Sequence, residues 1–133
     1  MNVKLLRRIQ KAIRKEPRRF NMLWWVVTGD QESPCGTSAC IGGYAVILSK
    51  IPKLLTTKKW LDAVEDIRKD SSNTWDPAKA VLGLDTDQAT RLFDENRWPR
   101  EFSVAYQATE DRRERAKLAI KRIDFFIKTK GND

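Results

Sequence analysis

Residues 2–19 constrain the fold more than any other stretch. Wound at about 100° per residue, Val3, Leu5, Leu6, Ile9, Ala12 and Ile13 gather on one half of a helix. Lys4, Arg7, Arg8, Lys11, Arg14, Lys15, Arg18 and Arg19 gather on the other. An apolar stripe that wide has to be buried against other elements, so this helix docks on a core by its aliphatic side. Asn2 is placed to cap it. Pro17 ends the regular turns near Lys15 or Glu16, because a proline disfavours helical geometry in the residue before it. Arg18 and Arg19 then fall just past the helix.

The rest of the chain punctuates itself into further short helices. Residues 20–27, FNMLWWVV, have no clean period and fit a buried strand or a short buried helix. TGDQESPCGTS is rich in turn formers and reads as a loop. A helix is expected from Ser38 to Lys50, stopped by Pro52. Its Gly42-Gly43 pair costs about 1 kcal/mol per glycine relative to alanine, so close packing or a ligand approach is expected to compensate. Thr56 or Thr57 caps the next helix, to about Lys69, with Trp60, Val64 and Ile67 facing inward. SSNTW is a loop. Asp76 caps a short helix over Pro77–Leu82, with proline at its first position and Gly83 at its end. Asp85-x-x-Gln88 has the spacing of a capping box and opens a helix through Phe93. DENRWP is a turn, and residues 101–107 are ambiguous but fit a short helix. Thr109–Lys128 is the last long helix, with Ala116, Ala119, Ile120, Ile123, Phe126 and Ile127 along one side. Residues 129–133 are expected to be a frayed tail. With 133 residues, there is material for one core rather than two. The expected fold is therefore all-α, a single domain over 1–133 with five or six helices and at most one short strand pair near residues 20–27.

The chain contains no histidine. That removes histidine-based acid–base chemistry, the ordinary serine and cysteine triads, and most zinc sites. Two cysteines cannot build a disulfide scaffold. The acidic pairs Glu65-Asp66, Asp85/Asp87 and Asp94-Glu95 sit at helix starts, turns or polar faces, where capping explains them. No enzyme, metal or cofactor is expected. The longest apolar run, Met22–Val27, is far too short to span a bilayer, and the N-terminal segment interleaves charge with its apolar residues, unlike a signal peptide. A cytoplasmic protein with reduced cysteines is expected.

The net charge of +8 is unevenly placed. Residues 1–19 hold eight basic groups and one acid, residues 20–109 hold ten and twelve, and residues 110–133 hold eight and five. A helix face this cationic sets up a field that favours phosphate polymers or an acidic protein. No tryptophan or phenylalanine in the segment anchors it to a bilayer, so a membrane is not expected as partner. Lys4, Arg7, Arg8, Lys11, Arg14, Lys15 and Arg18 are the candidate nucleic-acid or anion-binding residues. Stacking of single strands needs exposed aromatics among basic groups; Arg97-Trp98-Pro99-Arg100 is the best candidate and Asn73-Thr74-Trp75 a weaker one.

The segment Pro34-Cys35-Gly36-Thr37-Ser38-Ala39-Cys40-Ile41-Gly42-Gly43-Tyr44-Ala45 is the second candidate site. Two thiols five apart supply half a zinc site at most, and a cysteine nucleophile here has no histidine base. Read as a helix start, Gly36, Thr37 and Ser38 offer free amides and hydroxyls to an anion. Cys35, Gly36, Thr37, Ser38 and Trp98 then make a candidate ligand pocket. Read as structure, both cysteines are buried small hydrophobes and the glycines let a neighbouring helix approach.

Pro17, Phe20-Asn21-Met22 and Trp25, followed by CGTSACIGGYA and LGLDTDQATRLFDENRWP, cover about two-thirds of the chain. In this combination the chain resembles a group of small uncharacterised proteins from bacteria and their phages, which carry a CGT-x-x-C-I-x-G-x-A string and a later LGL…LF…WP string. Tyr44 stands where that pattern has tryptophan. The resemblance implies a phage or mobile-element setting and a bacterial cytoplasm, and brings no mechanism. It implies that Cys35, Gly36, Thr37 and Cys40 form one motif with Leu92-Phe93 and Trp98-Pro99, as a site or as the signature of one packed core. The function expected is non-enzymatic binding of an anionic partner, first nucleic acid or a phosphorylated nucleotide. The alternative is an interaction protein that inhibits an acidic host protein, and the third an enzyme of unknown type.

Overall fold

α1 spans Val3–Lys15 and buries Leu5, Leu6, Ile9, Ala12 and Ile13, the stripe its sequence marks out. Asn2 caps it, accepting from the Leu5 amide at 3.0 Å. A 3-10 turn over Pro17–Arg19 follows at once. The chain is a computed structural model describing residues 1–53, 55–69 and 74–133. The remaining elements run β1 (Val26–Thr28), β2 (Thr37–Ala39), α2 (Ile41–Ser49), α3 (Thr57–Lys69), α4 (Trp75–Leu82), α5 (Thr86–Phe93), a 3-10 turn (Glu95–Arg97), α6 (Arg100–Gln107) and α7 (Arg112–Lys128). Among the described residues the architecture is thus seven α-helices and one antiparallel strand pair, with Val26 opposite Ala39 and Thr28 opposite Thr37.

α2 is the centre of the fold. Ile41 to Leu48 are all buried, and α1, α3, α4 and α5 pack around them. A helix buried all round shows no amphipathic stripe, which is why its sequence reads only as apolar. Its two glycines admit Trp25: a Cβ on Gly42 would lie 2.2 Å from the Trp25 ring, and one on Gly43 would lie 1.8 Å from the Trp25 carbonyl oxygen. Trp25 in turn meets Trp75 and Phe93 edge-on, at centroid distances of 6.0 and 5.7 Å. α1 lies between α2 and α7, its basic side outward. Gln10 is buried in the α1–α7 seam and donates to the Ile120 carbonyl at 2.8 Å.

Several expected boundaries move. The helix expected from Ser38 begins at Ile41 because Thr37, Ser38 and Ala39 are taken by the strand ladder, and the Cys40 sulfur receives the Gly43 amide at the cap. The apolar run 20–27 contributes only Val26 and Val27 to a strand, plus a single bridge from Phe20 to Ala39. α4 begins at Trp75, with Thr74 rather than Asp76 at its N-cap. α7 begins at Arg112, because the Asp111 carboxylate accepts from the Arg113 and Glu114 amides. The Asp85–Gln88 capping box and the left-handed Gly83 terminator are present as read. In the loop read over SSNTW, residues 71–73 lie outside the described residues.

The tail over 129–133 is not frayed. Arg122 has a fully buried side chain, and it forms an ion pair with the Asp133 carboxylate, 3% exposed. The same guanidinium donates to the Arg91 carbonyl at 2.9 Å. Gln88 and Arg91 donate to the carbonyls of Lys130 and Gly131. A buried arginine without a carboxylate would be expensive, and Asp133 supplies it.

Candidate anion-binding surface

The seven candidate residues among the eight basic groups of the first segment separate into those the fold uses and those it leaves alone. Arg7 forms a 2.7 Å ion pair with Asp124 of α7 and a 2.9 Å bond to Gln10. Asp124 also takes Lys128 at 2.8 Å; these two cations, Lys128 first, hold its carboxyl below the usual range. Arg8 donates to the carbonyls of Leu48 and Ile51, where α2 ends. A cation there complements the helix C-terminus. Arg18 reaches Glu16 only at 3.9 Å. Lys4, Lys11, Arg14 and Lys15 are exposed and have no ion pair among the described residues. Lys4, Arg8, Lys11 and Lys15 follow the 4–3–4 spacing of one helix ridge.

Two grooves flank that ridge. Toward α7, Arg7, Arg14, Lys121, Lys128 and Asp124 line a groove of ≈ 370 Å³ over Ile120 and Phe125. Toward α2, Arg8, Lys11, Lys15 and Lys53 line one of ≈ 170 Å³ whose floor is Ala12, Leu48 and Leu55. The second contains four cations and no carboxylate. The ridge and both walls therefore present positive groups to one side of the molecule. Sequence reasoning found the ridge; Lys53, Lys121 and Lys128 join it only through the packing of α1 against its neighbours.

The cysteine–glycine segment is built differently from the helix start expected of it. Thr37 and Ser38 are buried on β2 and cannot offer strand amides to an anion. Gly36 takes φ +74, which a glycine tolerates, and its carbonyl accepts from Asp30 at 2.9 Å. The Trp60 indole N–H donates to Thr37 Oγ1 at 2.7 Å, and that oxygen lies 3.1 Å from Cys35 Sγ. Indole is only a donor, so the Thr37 hydroxyl proton is free to point at the sulfur. Partial burial opposes the Cys35 thiolate, but the Thr37 and Ser33 hydroxyls and the Arg19 charge outweigh it and bring the thiol below its ordinary value. Cys40 is fully enclosed, and burial pushes it up to about 11. Both cysteines are free thiols. Arg112 closes the loop with ion pairs to Asp30 at 2.7 Å and Glu32 at 3.0 Å.

Trp98 does not join this segment. It is buried, its indole N–H donates to the Leu92 carbonyl at 3.0 Å, and its ring packs edge-on against Tyr106. No hydrogen bond or ring contact among the described residues links it to Cys35, Gly36, Thr37 or Ser38. It is unavailable for stacking, and Trp75 is engaged with Trp25 and Phe93. The aromatic that does face solvent is Trp24, 58% exposed beside Leu23 at 69%. The apolar character of FNMLWWVV hid it, because the run passes from core to surface without changing composition. Among the described residues no group of three or more metal-ligating side chains occurs, and no helix is long and apolar enough to cross a membrane. No protein-family model, curated protein or solved structure matches the chain.

Proposed function

We propose that this protein is a non-enzymatic binder of nucleic acid that holds the phosphate backbone on the outer face of α1 and its two flanking grooves. The observation that carries the reading is the set Lys4, Lys11, Arg14 and Lys15, exposed and without intramolecular carboxylate partners among the described residues. Lys53 and Lys121 extend it on both sides. Cations held on a rigid helix at several-ångström intervals match a polymer of phosphates, since each contact releases condensed counterions and adds affinity without reading sequence. The resemblance to small phage and bacterial proteins supports a bacterial cytoplasm as the setting of this reading.

Reversing Lys11, Arg14 and Lys15 together to glutamate tests the reading. All three side chains are exposed, so the variant should retain the wild-type circular dichroism spectrum and lose at least 100-fold in affinity for a mixed-sequence duplex or single strand at low salt. Undiminished binding by the folded variant refutes the assignment of this face.

A further inference from the structure

Arg19 is the one cation of the first segment that the fold buries and leaves unanswered. It is 8% exposed, its Nε has no hydrogen-bond partner, and it forms no ion pair among the described residues. Its guanidinium lies 4.7 Å above the Trp60 ring. That contact offsets part of the desolvation cost but supplies no hydrogen-bond acceptor. The side chain lines a groove of ≈ 240 Å³ together with Ala12, Lys15, Glu16, Leu55, Thr56 and Thr57. Thr56 and Thr57 open α3. Thr56 Oγ1 already takes the Lys59 amide at 3.2 Å, while the amides of the first helical residues have no intrahelical acceptor. α3 has no acidic residue in its first turn. The groove therefore gathers a buried guanidinium, the ammonium of Lys15 and the positive end of a 13-residue helix. One carboxylate, Glu16, also lines it, with Arg18 beside that carboxylate at 3.9 Å.

We infer that this groove is a site for a phosphate monoester, seated between Arg19, Lys15 and the N-terminus of α3. A monoester carries close to two charges and three terminal oxygens, and so it profits from donors converging from three directions more than a backbone diester does. Arg19 offers a planar fork of donors, Lys15 a point charge, and α3 its free amides. The inference rests on the proposed nucleic-acid reading for the source of the phosphate. This groove and the Arg8–Lys11–Lys15–Lys53 groove share Ala12, Lys15 and Leu55, so a strand lying along α1 would run its phosphorylated end into the Arg19 site.

The test uses inorganic phosphate, adenosine monophosphate, and one oligonucleotide carrying a 5′-phosphate, a 3′-phosphate or neither. Inorganic phosphate at millimolar concentration should raise the melting temperature of the wild-type protein at constant ionic strength, with sulfate as the control for general anion effects. Arg19→Met should abolish that shift while melting no lower than wild type in phosphate-free buffer, since it removes an unpaired buried charge. Lys15→Gln, at an exposed position, keeps the question answerable if Arg19→Met folds poorly: it should weaken phosphate binding several-fold. A gain of tenfold or more for one phosphorylated end over the unphosphorylated strand identifies a strand end as the ligand. A gain for adenosine monophosphate with none for either strand end supports the site and assigns it to free nucleotide. No phosphate-dependent shift in wild type, or an equal one in Arg19→Met, overturns the inference. Failure of the unphosphorylated strand to bind would instead count against the α1 reading itself, so the two fail separately.

Discussion

The two cysteines show how far environment, rather than identity, sets chemistry at the residue scale. Cys35 sits half-buried with the Thr37 hydroxyl 3.1 Å from its sulfur, whereas Cys40 is enclosed in the core at the cap of α2. A thiolate reacts and a thiol does not. Iodoacetamide at neutral pH should therefore alkylate Cys35 first, leaving Cys40 unmodified until the protein is denatured; peptide mass spectrometry reads the order, and equal rates would contradict it. Arg112 and Asp30 supply a pH dependence. The hydrogen bond from Arg112 holds the Asp30 carboxyl below its ordinary value against the opposing effect of burial. A depressed folded-state value stabilises the fold above the unfolded pKa, near 4, and that stability is lost as pH falls through the folded value. Asp30→Asn should cost about 1.5–3 kcal/mol at pH 7, the range of a hydrogen bond to a charged group, and flatten the fall in stability between pH 5 and 2, as followed by urea denaturation. An unchanged acid limb would show that this pair is not what acid disrupts.

At the scale of elements, the helices whose residues carry their own punctuation were legible. The two-sided wheel marks α1, the capping box marks α5, and Gly83 marks the end of α4. The start of α2 was not legible, because Thr37 and Ser38 have good capping side chains and only a long-range strand pairing with Val27 and Thr28 takes them out of contention. The docked tail escaped for the same reason: nothing near Asp133 in sequence foretells a buried arginine eleven residues earlier. Legibility also stopped short at the candidate surface, where the α1 cations were visible but not which of them Asp124 and the end of α2 occupy. The glycine pair of α2 marks a close approach, and the approaching group is Trp25. Gly43→Ala would drive a Cβ into the Trp25 backbone carbonyl, which cannot rotate away. It should cost more than about 2 kcal/mol and shift the chemical-denaturation midpoint accordingly. A variant as stable as wild type would contradict the close approach of the Trp25 backbone to α2.

Across the whole molecule, one helix divides its labour between core and solvent. Its apolar half meets α2 and α7, and its basic half, with the walls those neighbours provide, makes a cationic side on which Lys4, Lys11, Arg14 and Lys15 have no carboxylate partner among the described residues. Asp124 answers Arg7 and Lys128 within that side, while Asp30 and Glu32 are held by Arg112 and Asp133 by Arg122. Such an arrangement makes binding a matter of counterion release, which salt reports directly. The decisive measurement is the affinity for duplex DNA as a function of monovalent salt. Four backbone contacts through Lys4, Lys11, Arg14 and Lys15 predict a log–log slope of about −3 to −4, reduced by about one for each of these residues replaced with alanine. An affinity independent of salt, or a slope that those replacements leave unchanged, would contradict the claim that the face of α1 is where the anion is held.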